Sequence, residues 1–88
     1  MIEINWTDKA NRQMIKLPAK ISKQIAEKVL GLIDTWPNST NVISLTNRPE
    51  YRLRVGSYRV IFTVSPNGEV VILNILEVRK RDDRTYKH

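Results

Sequence analysis

The sequence predicts an α+β domain: an N-terminal strand, then a two-helix hairpin packed on one face of a mostly antiparallel four-stranded sheet. Three observations predict it. Ile2, Ile4 and Trp6 alternate with polar neighbours, the period of a half-buried strand; apolar residues between Ala10 and Trp36 recur at three- and four-residue steps; from Tyr51 onward the period returns to two.

The first strand covers residues 2–6. Thr7 is a suitable N-cap, Asp8 stands where the helix dipole favours an acid, and Ala10, Met14 and Leu17 predict a first helix over residues 8–17. Pro18 breaks it and is suited to the first turn of a second helix. There Ile21, Ile25, Val29, Leu32, Ile33 and Trp36 form an apolar stripe, with Lys20, Lys23, Glu27 and Lys28 opposite. So short a link at Pro18 makes the two helices neighbours. Residues 37–49 are rich in turn formers and read as a surface loop in which Val42, Ile43 and Leu45 give a short anchor. Strands follow over residues 51–55 and 58–64, joined by Gly56-Ser57 as a two-residue turn with Gly at its first central position. Pro66-Asn67-Gly68 forms the next turn. Residues 69–78 are apolar on both parities, as expected away from a sheet edge. The tail is mostly charged, and neither repeat nor linker divides the chain, so residues 1–88 read as one domain.

Eighty-eight residues suffice for one core, and the 41% hydrophobic and 27% charged content is that of a folded domain. Without Cys, and with its one His at position 88, the chain excludes disulfides and offers no thiolate or imidazole set for a metal; neither metal nor other cofactor is expected. The longest apolar stretch, 70–76, is interrupted by Asn74 and far too short to span a membrane. The first residues lack the basic-then-apolar order of an export signal, so a cytoplasmic location is expected. Fifteen Lys and Arg against nine acids give a net charge of +6, which attracts polyanions, nucleic acid first and an acidic protein second, or serves solubility alone.

Position separates these readings. The two-residue turn predicts the register Val55 with Tyr58, Arg54 with Arg59, Leu53 with Val60, Arg52 with Ile61 and Tyr51 with Phe62. One face then collects Tyr51, Leu53, Val55, Tyr58, Val60, Phe62 and Val64 for the helices to cover, and the other holds Arg52, Arg54 and Arg59. Opposed like charges repel. An RNA phosphate is a natural counter-ion, since a guanidinium donates two parallel hydrogen bonds to it. The alternative is a solvated face whose arginines pair with Glu50, Glu77, Asp82 or Asp83. A four-residue second turn would bring Asn74 beside Arg59. Arg79, Lys80, Arg81, Arg84 and Lys87 extend the basic surface, and Tyr86 among them offers a stacking face for an unpaired base.

Strand, helix hairpin, YRLRVGSYRVIF at 51–62, then VVILNILEV and the closing KRDDRTY resemble, over nearly the whole chain, the RelE/ParE superfamily of toxins from type II toxin–antitoxin modules. The resemblance implies a cognate antitoxin as partner and one of two activities. RelE-like members cleave messenger RNA in the ribosomal A site; ParE-like members inhibit DNA gyrase without nuclease chemistry. Arg52, Arg54, Arg59, Arg81 and Tyr86 match the RelE-like set, although the two strand positions are often Lys there. On that likeness the expected function is a metal-independent, ribosome-dependent endoribonuclease acting by 2′-hydroxyl attack to leave a 2′,3′-cyclic phosphate. Arg59 and Arg81 would contact the scissile phosphate and leaving group, Arg52 and Arg54 would hold phosphates and favour ionisation of the 2′-hydroxyl, and Tyr86 would stack on a base. Arginine, with a pKa above about 12, clamps charge well and carries protons poorly. His88 is a further acid/base candidate in the tail, while Asp82 and Asp83 are read as partners of the tail arginines, with a base role as the alternative.

Overall fold

Alternation over the first residues builds an edge strand, β1 (Ile2–Trp6), whose partner lies at the other end of the chain. The structure, a computed structural model, describes residues 1–80. After β1 come α1 (Asp8–Ile15), α2 (Ala19–Thr35), β2 (Val42–Ser44), β3 (Tyr51–Val55), β4 (Tyr58–Asn67) and β5 (Val70–Lys80). They form one mixed sheet in the order β1-β5-β4-β3-β2, with β1 parallel to β5 and the other pairs antiparallel. The class and the helix hairpin are as the sequence predicts; the sheet has five strands rather than four. The addition is β2, three residues pairing with β3 inside the expected loop. Turn formers on both sides conceal so short a strand, whose pairing fills the free edge of β3.

Local chemistry sets the helix ends. Thr7 Oγ1 accepts a hydrogen bond from Ala10 N–H at 3.3 Å and donates to the Ile75 carbonyl at 2.7 Å, so one cap starts α1 and ties it to β5. The helix stops at Ile15, earlier than the predicted Leu17. The amides of Lys16 and Leu17 donate to Gln13 and Met14, three residues back, in the tighter turn that commonly ends a helix. Pro18 disfavours helical geometry at Leu17 and becomes the N-cap of α2, its carbonyl accepting from Ile21 and Ser22.

The core lies between the helices and one sheet face. Ile25, Val29 and Leu32 of α2 are fully buried with Val60, Phe62, Leu73 and Ile75. No polar or charged side chain is buried among the described residues. Trp36, at the end of the α2 stripe, meets Tyr51 edge-on at 5.0 Å between centroids and Phe62 at 5.6 Å, while Tyr51 stacks on Phe62 at 5.6 Å. No helix of the described residues is long and apolar enough to cross a membrane.

The β3–β4 register is as the sequence predicts at all five positions, with Gly56 at φ 55° in the turn. The β4–β5 register is not. Both strands run further than predicted, and Asn67 pairs with Val70 across a tight turn holding Gly68 at φ 65°. Asn74 therefore pairs with Thr63 and not with Arg59. Its amide is explained by a polar ladder: Asn5 donates to Asn74 Oδ1 and Asn74 donates to Ser65 Oγ, each at 2.9 Å. A bulge follows, Ile61 facing Glu77 while Phe62 faces Ile75, which leaves Leu76 as the extra residue. Ile75 and Val78 thereby both stay in the core, and Gln13 of α1 accepts the Val78 N–H at 2.6 Å beside the bulge.

Because Phe62 joins the aromatic cluster to the sheet core with no exposed surface, Phe62→Ala is expected to lower unfolding free energy by about 3–5 kcal/mol. Urea denaturation should move the midpoint at nearly constant slope.

Candidate nucleic-acid interface

Strand pairing alone assembles the site. Arg54 of β3 faces Arg59 of β4, and Arg59 faces Arg79 of β5. Three guanidinium-bearing positions thus form one row across adjacent strands that are about 4.8 Å apart. The neighbouring row is Arg52, Ile61 and Glu77. Both rows lie on the sheet face opposite the buried residues Leu53, Val60 and Val78, because side chains alternate across the pleat.

A cleft of about 300 Å³ opens here, with Arg48, Arg52, Arg59, Arg79, Glu50 and Glu77 in its walls. Leu45, Ile61 and the bulged Leu76 supply its apolar lining. The bulge is what turns both Leu76 and Glu77 toward this side. Another hollow, of about 350 Å³ between α2 and the loop before β2, carries no comparable concentration of charge.

Among the described residues, charge in the cleft is only partly balanced. Glu77 Oε1 lies 3.2 Å from Arg79 Nε and 3.7 Å from Lys9 Nζ, and its side chain is 25% exposed. These are the ion pairs among the described residues, so Arg52, Arg54 and Arg59 have no carboxylate partner there. Of the acids the solvated-face alternative needs, Glu77 serves Arg79, while Glu50 serves none of the strand arginines.

The candidate residues separate accordingly. Arg52, Arg59 and Arg79 share the cleft, and Arg54 ends the row beside it, exposed. Lys80 pairs with Tyr58 and takes the helix-side parity, away from the other cations. Arg81, Arg84, Tyr86 and Lys87, with Asp82, Asp83 and His88, lie outside the described residues. Arg48 and Glu50 are in the cleft although sequence pattern did not select either as a site residue. Arg48 stands in the turn-rich segment, and the signal for Glu50 was its parity with Arg52 and Arg54. No set of three or more His, Cys, Asp or Glu able to hold a metal occurs among the described residues.

A family model described as the ParE toxin of type II toxin–antitoxin systems, parDE, matches residues 4–84, and the chain belongs to that family. Solved structures share its fold. A chain of the RelBE2 toxin–antitoxin complex from Mycobacterium tuberculosis is 23% identical, with a TM-score of 0.71 over 90% of this chain and 96% of that one. The YoeB/ParE toxin from Agrobacterium tumefaciens is 15% identical, with a TM-score of 0.73 over 91% and 99%. The isolated E. coli RelE toxin is 17% identical, with a TM-score of 0.71 over 97% and 90%. No curated protein gives a significant match.

Arg59 is flanked by arginines on both sides and has no anionic partner among the described residues. Replacing it by a strand-favouring neutral residue should relieve repulsion. Arg59→Thr is expected to leave stability unchanged or raise it by about 0.5 kcal/mol in a thermal melt. A loss above about 1 kcal/mol would reveal a structural role.

Proposed function

We propose that this toxin is a ribosome-dependent endoribonuclease whose arginine cleft grips a messenger RNA phosphodiester in the ribosomal A site, and that a cognate antitoxin restrains it. The observation carrying this reading is the row Arg54–Arg59–Arg79 with Arg52 beside it, cationic positions that the described residues leave largely unneutralised. Guanidinium forks match phosphate oxygens in pairs and keep their charge at any working pH.

The chemistry needs no metal. The 2′-oxygen attacks the adjacent phosphorus, forming the 2′-O–P bond while the P–O5′ bond breaks. The 2′-hydroxyl proton leaves to a base or water, and the departing 5′-oxygen takes up a proton, giving a 2′,3′-cyclic phosphate and a 5′-hydroxyl. Arg59 and Arg52 would stabilise charge growing on the phosphorane oxygens, an effect that is large where water is excluded. Arg54 and Arg79 would hold flanking phosphates. From the tail, Arg81 would meet the leaving group and Tyr86 would stack on a base, with Arg84 and Lys87 adding attraction along the strand. The ribosome would supply alignment.

The antitoxin reading is supported by the family and by relatives solved as toxin–antitoxin complexes, such as the one from M. tuberculosis. A strand or helix carrying acidic residues would neutralise the same cleft. The second reading is inhibition of DNA gyrase by protein binding alone, favoured by the match to the ParE family model in particular.

Programmed ribosomes incubated with the purified toxin, with message 5′ ends mapped, separate the two. Cleavage within the A-site codon, reduced about a hundredfold by Arg59→Ala, is the expected outcome. Intact message together with blocked supercoiling by gyrase would establish the second reading instead.

A further inference from the structure

Glu50 immediately precedes β3, two residues before Arg52, and lines the arginine cleft. Its main chain is fixed: the carbonyl accepts the Leu45 N–H at 3.1 Å, closing a turn that carries Asn47 at φ 59°. Its side chain enters no hydrogen bond or ion pair among the described residues. Oε1 is shielded from water and accepts no hydrogen bond among the described residues. Arg48, Arg52 and Arg59 line the same cleft, yet both ion pairs of the described residues fall on Glu77.

A carboxylate is an acceptor-only group with about four positions to fill, and a buried position left empty is destabilising. It also opposes the evident purpose of the cleft, since a negative charge among phosphate-binding arginines weakens the hold on any simple polyanion. Both costs are offset if the ligand brings a hydrogen-bond donor to the place where its phosphate docks. Ribose does so: the 2′-hydroxyl is a donor beside the 3′-phosphodiester, and it is the group by which proteins tell RNA from DNA.

We propose that Glu50 is the acceptor for the ribose 2′-hydroxyl of the strand held in the arginine cleft, so that the cleft reads sugar as well as charge. The inference rests on the RNA reading above and assigns a specificity role to a residue outside the arginine set. Hydrogen bonds to an ionised acceptor are about twice as strong as neutral ones, which makes the discrimination measurable in binding alone.

The test uses the full chain and fluorescently labelled single strands of one sequence, one with 2′-hydroxyls and one with 2′-fluoro groups, which keep an RNA-like sugar but lack the donor. The wild type is expected to bind the hydroxyl strand about tenfold more tightly at low salt. Glu50→Ala should bring that ratio close to one while tightening the fluoro strand, because a repelling charge is gone. Glu50→Gln, which preserves shape and a neutral acceptor oxygen, should give an intermediate ratio and guards against a folding defect in the Ala variant. An undiminished ratio in both variants, or a ratio of one in the wild type with tight salt-sensitive binding, would overturn the role of Glu50 and leave the RNA surface standing. Failure of the wild type to bind either strand would overturn this inference, and the RNA reading falls with it only if programmed ribosomes also leave the message intact.

Discussion

The register set by the Gly56-Ser57 turn is the constraint on which the rest depends. A two-residue connection with a positive φ at its first position admits one alignment of β3 on β4. A slip by one residue would send Leu53, Val60 and Phe62 to water and the arginines into the core. The burial of those apolar residues therefore enforces the gathering of Arg52, Arg54 and Arg59 on the opposite face. Core formation and site formation are one event seen from two sides of the same sheet.

The second strand pair adds what the first cannot. A regular β4–β5 ladder would carry one alternation from end to end. The bulge at Leu76 shifts phase, so that Ile75 and Val78 both face the helices while Glu77 and Arg79 remain on the cleft side. Gln13 takes up the amide of Val78 nearby, and Lys9 reaches Glu77, so α1 supports the site from beneath. Repulsion within the arginine row amounts to a few tenths of a kcal/mol per opposed pair. That is small beside the burial of Phe62 or Leu73, which explains how the fold tolerates a cationic face that does nothing for its own stability.

Most of the architecture was legible because its signals are local. Alternation marks β1, the Thr7 cap marks α1, the stripe from Ile21 to Trp36 marks α2, and the Gly-Ser turn yields the β3–β4 pairing. What was not legible depends on partners distant in sequence. β2 exists because β3 offers a free edge, and no pattern in three residues declares that. The position of Asn74 depends on where the β4–β5 turn closes, and Pro66-Asn67-Gly68 suggested an earlier closure than the one at Gly68 and Glu69. Its real partners, Asn5 and Ser65, come from two other strands. The cleft was half legible: parity gave the strand arginines, whereas Arg48 and Glu50 enter through the geometry of a loop, and Lys80 leaves through the phase shift at the bulge.

The composition of the cleft bears on which ligands it would suit. Arginine holds charge but does not exchange protons near neutrality, so a cleft of guanidiniums alone can bind and polarise a phosphodiester without selecting its sugar. Its two carboxylates differ in this respect. Glu77 is committed to Arg79 and Lys9, and its charge is spent on fixing a cation in place. Glu50 has no such commitment among the described residues. A site meant only to dock an acidic protein surface would be better served by an apolar or neutral residue there. An acceptor without a partner among the described residues, set amid guanidinium groups, is a combination that a ribose phosphate would satisfy at both of its ends, the hydroxyl donating to the carboxylate and the phosphate accepting from the arginines.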